Sequence, residues 1–151
     1  FTFGIEEKMK KFLFIFLIYG FSLTIISCGT KNNTSDSTST ESSTYSDNGT
    51  TFTVTVNSSK YYIDGILTKT LILKKGYTYY FDSTDSTTNN HPLFIGTTSS
   101  GGSYTYEYTS GVTNSRTTTE TLTFIVPSDS PSTLYYNCGN HASMGGSITI
   151  L

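Results

Sequence analysis

Phe52, Val54 and Val56 alternate with Thr51, Thr53, Thr55 and Asn57, and the same beat of two returns along the chain to its last residue. A period of two sends successive side chains to opposite faces of a strand. Further runs of this kind or short apolar stretches lie at residues 61–63, 71–73, 77–81, 91–95, 104–108, 121–126, 133–138 and 147–151. Turn residues separate them, including Gly65, Gly76, Gly111, Pro127 and Pro131. No stretch carries a 3.6-residue period, and no repeat recurs at solenoid spacing. The pattern predicts an all-β fold, an antiparallel sandwich or barrel of seven to nine short strands.

Composition agrees where it matters. Thr and Tyr dominate the second two thirds of the chain, and both suit pleated, half-buried strands. From Cys28 onward there are six basic and nine acidic residues, a net −3. Clustered Lys and Arg, the footprint of a nucleic-acid binder, are missing.

The N-terminal third reads as targeting sequence. Residues 1–8 precede Met9 and are expected to be upstream frame or a fragment artefact. Residues 9–27 combine a basic start (Lys10, Lys11) with an apolar run that ends at Ser27. That is the layout of a secretory signal peptide. Cys28 directly after the small residue resembles the bacterial lipoprotein cleavage motif, which implies lipidation at Cys28. The alternative is an uncleaved membrane anchor. Residues 28–50 are then the acylated cysteine and a Ser/Thr-rich linker, too polar to fold and able to reach tens of Å. Either way, residues 51–151 are expected to form one domain outside the cytoplasm, in the cell envelope, on a periplasmic or surface face. About 100 residues can build a core without metal or disulfide support.

The chemistry concentrates in one short loop. Cys138, His141 and Met144 follow a C-x2-H-x2-M spacing. Residues 51–151 hold one Cys, one Met and two His, and three of these four lie within seven positions. The fourth, His91, opens the strand expected at 91–95. Leu134, Tyr136 and Cys138 share one face of their strand, so the thiol is delivered from the core side. Gly139, Gly145 and Gly146 let the following loop turn sharply. His91, at the mouth of a facing strand, would supply the last vertex. Thiolate, imidazole and thioether together suit copper. Zinc fits less well, because a thioether is not among its usual ligands.

This loop, following a Tyr-rich strand, preceding a final strand and joined by an upstream His, resembles the cupredoxin family of blue-copper proteins, with a loop spacing like that of amicyanin and a likeness to small plastocyanin-like domains. The resemblance implies a Greek-key β-sandwich and one type 1 copper. It assigns His91, Cys138 and His141 as equatorial ligands and Met144 as the axial one. Three neighbours depart from or bear on that pattern. Asn90 precedes the first ligand. Pro92 follows it where the family commonly has Asn, and has no N–H to aim at the sulfur. Asn140 stands where a Pro is common and could restore a donor.

The resulting expectation is a non-enzymatic one-electron carrier with redox-protein partners, held at a membrane through Cys28. Two alternatives stay open: a copper carrier or store that does not cycle, and a structural β-domain that has lost its metal.

Overall fold

The computed structural model describes residues 45–151. The signal segment, Cys28 and the tether up to residue 44 lie outside the described residues. Ten strands follow in order: β1 (Thr51–Asn57), β2 (Lys60–Ile63), β3 (Ile66–Leu67), β4 (Leu71–Leu73), β5 (Thr78–Asp82), β6 (Leu93–Gly96), β7 (Val112–Thr113), β8 (Thr121–Ile125), β9 (Thr133–Cys138) and β10 (Gly146–Ile150). The only helical turn among them is a 3-10 turn at Ser86–Thr88.

The strands make two sheets, one of six in the order β3-β2-β1-β5-β8-β7 and one of four in the order β4-β10-β9-β6. The all-β architecture expected from the alternation is present. Its pairing is mixed rather than purely antiparallel, because β1 runs parallel to β5 and β10 parallel to β4. The count of ten exceeds seven to nine because β3 and β7 are two-residue edge pieces too short to leave a sequence pattern.

Alternation became burial as expected in β1, where Phe52 and Val54 are inside and Thr51 and Thr53 outside. Apolar faces of both sheets meet in one core, with Ile63, Tyr79, Phe81 and Phe124 from one side and Leu73, Ile95, Leu134 and Ile148 from the other. Each such side chain contributes about 1.5–3 kcal/mol on burial.

Three local expectations changed. Residues 104–108 alternate Tyr with polar residues but do not form a strand. They lie along the edge of β6 in irregular backbone, with Thr97 N–H donating to Tyr106 and Tyr108 N–H to Ile95. Pairing there is limited to one isolated bridge, Gly96 with Glu107, while the Glu107 carboxylate is held by Ser115 and Arg116. The strand expected from His91 begins only at Leu93, because Pro92 has no N–H to give a ladder. Finally, residues 45–50 join the domain ahead of β1. Ser46 N–H donates to Ile72, the Tyr79 hydroxyl donates to Ser46, and Asn48 accepts from Thr78.

Candidate metal centre

β6 and β9 are antiparallel neighbours, with Leu93 opposite Cys138 and Phe94 opposite Asn137. The start of one strand therefore lies beside the end of the other. His91 thus comes to Cys138 from an adjacent strand of the same sheet, not from a facing one. Gly139 N–H closes the pair by donating to the Pro92 carbonyl at 2.9 Å.

The loop after β9 then turns back. His141 Nδ1 stands 3.5 Å from Cys138 Sγ, and His91 Nδ1 stands 3.8 Å from it. Donor atoms of the three residues all lie within 4.8 Å of one another. The two imidazole rings are 4.8 Å apart and tilted by 41°. Cys138 is buried, His91 half-buried and His141 exposed. The group therefore has a closed floor and an open edge.

These separations suit a shared ion. A sulfur and a nitrogen bonded to one ion at about 2.3 and 2.0 Å, some 110–120° apart, stand about 3.5–3.7 Å from each other. A thiol carries one proton and can donate to one imidazole only, whereas one cation satisfies all three donors. Burial, then the charge of neighbouring His141, pushes the His91 imidazole below its ordinary pKa. It is therefore held in the neutral form that ligates a metal.

Met144 is buried in the same core cluster as Cys138, and its carbonyl accepts from Tyr61 N–H at 3.0 Å. Asn140 does not turn to the sulfur with its side chain. Its amide donates to the Asn90 carbonyl at 2.9 Å, tying the loop to the residue before His91. Asn90 itself sits at φ +67°, a left-handed conformation that Asn accepts better than most residues. Both imidazoles lie within hydrogen-bonding distance of the sulfur.

Several contacts around the group left no signal in the sequence. Residues 97–102 strap the outer face of the ligand loop. Asn137 donates to the Thr98 carbonyl, Gly102 N–H to the Cys138 carbonyl, and Ser143 N–H to the Ser100 carbonyl. Asn137 lies on the face of β9 opposite Leu134, Tyr136 and Cys138, and under this strap it is 2% exposed. The Tyr104 ring lies against Gly139 so closely that an added Cβ would fall 2.2 Å from it. Arg116 covers that ring at 4.1 Å and is held by Glu107 at 2.5 Å. Burial raises the Glu107 carboxyl, but the Arg116 and Ser115 hydrogen bonds prevail and hold it below the usual carboxylate range. From the opposite side, the Tyr61 hydroxyl donates to the His91 carbonyl at 2.6 Å.

The chain is similar to rusticyanin. The likeness is to rusticyanin from Thiobacillus ferrooxidans at 15% identity and a TM-score of 0.42, over 70% of this chain and 79% of that one. Reduced rusticyanin matches at 12% identity and 0.42, over 71% and 83%. A further structure, described as that of the copper protein rusticyanin, matches at 15% and 0.43, over 70% and 80%. No protein-family model and no curated protein matches the sequence. Similarity of this strength lends no function to the chain, whose reading rests on its own donor set.

Proposed function

We propose that the protein binds one type 1 copper through His91, Cys138 and His141, with Met144 as a weak axial ligand, and carries single electrons in the cell envelope. The observation that carries this reading is the convergence of two imidazole nitrogens on one buried thiol sulfur. A thiolate with two imidazoles is the donor set of blue-copper electron-transfer sites. Copper in such a site supplies one-electron exchange between its Cu(II) and Cu(I) forms.

The chain's own residues set the conditions. Cys138 and Met144 are locked in a packed core, so the donors do not move when charge changes. His141 leaves an exposed edge through which a redox partner could be reached. Lipidation at Cys28 and the polar tether would keep that edge near a membrane while leaving it free to search. On this reading the protein transforms no substrate.

Adding one equivalent of Cu(II) to the purified protein should produce a strong visible band. Ascorbate should bleach it and ferricyanide should restore it over repeated cycles. A protein that binds copper without cycling is a carrier or store instead. One that takes up none is a β-domain without a metal role.

A further inference from the structure

We propose that Tyr61 is a positioning residue of this centre, a single side chain on the opposite sheet that fixes the His91 segment and the ligand loop relative to each other. The proposal rests on the copper reading above. Tyr61 lies on β2 in the six-stranded sheet, whereas β6 and β9, which flank the donors, belong to the four-stranded one.

Its two polar ends grip the two halves of the site. The backbone N–H donates to the Met144 carbonyl at 3.0 Å. The phenol donates to the His91 carbonyl at 2.6 Å. Beside it, Lys60 Nζ donates to the Ser143 carbonyl in the same loop. Segments far apart in sequence are thus spaced by one rigid ring.

The need for such a tie follows from Pro92. The β6 ladder resumes only at Leu93, which donates to Thr117 and accepts from Arg116. Upstream of it, His91 has its own N–H on Thr88 and its carbonyl on Tyr61. Pro92 can donate nothing. The Tyr61 hydroxyl is therefore the tie from the opposite sheet on the His91 carbonyl, beside the Thr88, Asn140–Asn90 and Gly139–Pro92 bonds that hold the same segment. Tyr61 is fully buried.

Tyr61→Phe keeps the ring and removes only the hydroxyl, and with it the bond to the His91 carbonyl. Tyr136→Phe is the matched control. It removes another buried hydroxyl, which donates to the Lys69 carbonyl at 2.9 Å, from a ring 6.3 Å from that of Tyr61. Tyr61→Phe should bind Cu(II) about 10–100-fold more weakly, as loss of a group that orients a ligand does. Its visible band should also shift. Tyr136→Phe should match the wild type in affinity and band. Wild-type affinity and band in Tyr61→Phe, or equal changes in both variants, would overturn the role of Tyr61 alone. A wild-type protein that takes up no copper would overturn the copper reading with it. If Tyr61→Phe does not fold, Lys60→Ala tests the same tie from the surface. Several-fold weaker copper binding supports it, and unchanged binding overturns it.

Discussion

Cys138→Ser should leave a folded, colourless protein. The thiol is 0% exposed at the end of β9, and serine is close to it in size, so the sandwich keeps its shape. The buried hydroxyl still finds an acceptor, because an imidazole nitrogen lies on each side of the position, 3.5 and 3.8 Å from the native sulfur. What disappears is the soft anionic donor. A hydroxyl oxygen is a poor ligand for Cu(I) and gives no thiolate-to-copper charge transfer. Copper affinity should fall by more than the ~10–100-fold that loss of an outer partner costs. Absorption and isothermal titration of the two proteins side by side check both effects. Cys28→Ser serves as the control, since its thiol precedes the described domain. A visible band that survives in Cys138→Ser would mean that another group holds the copper.

Gly145→Ala should be the most damaging single change to the fold. A Cβ built there would lie 1.6 Å from the Tyr136 carbonyl oxygen and 2.7 Å from its carbon. Those atoms belong to the backbone of β9, so no side-chain rotation relieves the overlap. β10 would have to move away from β9, to which it pairs through Gly146–Tyr136 and the positions beyond. The expected loss is about 3 kcal/mol or more, at the upper end for overpacking. The urea midpoint should then drop by roughly 1 M or more. Gly65→Ala gives the scale. Gly65 has open space around its Cα, and only its φ of +76° resists the change, at about 1 kcal/mol. Equal midpoints for Gly145→Ala and the wild type would show that this approach of β10 to β9 is not as close as described.

The two positions differ in how they could be read from sequence. Cys138, His141 and Met144 announced themselves, because scarce soft donors seldom fall so close together by chance. The inward face of β9 was legible too, since Leu134, Tyr136 and Cys138 are all buried. That His91 would reach the thiol was legible as an expectation, but not the route. A strand's partner depends on pairing between distant segments, and nothing local says that β6 lies beside β9. The parallel pairs β1–β5 and β4–β10 were hidden for the same reason.

Alternation misled at Tyr104, Tyr106 and Tyr108. Period two marks a half-buried strand but does not suffice for one, and here Tyr104 is drawn to Phe94 and Arg116, and Tyr108 packs on Phe124. The strap at 97–102 left no pattern because it works through backbone groups, which every residue carries. In the sequence, Tyr61 only opens the short run at residues 61–63. Its ring does pack in the core, and only the path of its hydroxyl across the sandwich distinguishes it from Tyr136.

Pro92 takes on a different meaning with the structure in hand. From sequence it was a lost donor to the sulfur. In the fold it is also the reason that His91 stands ahead of the ladder, held by the Tyr61 hydroxyl, while the Pro92 carbonyl receives Gly139. The same residue weakens one contact and makes room for another.

X-ray absorption at the copper edge of the loaded protein tests the central claim most directly. One short sulfur neighbour and two imidazole nitrogens are expected, at distances on the order of 2.0–2.3 Å. A first shell made only of nitrogen and oxygen neighbours would contradict it.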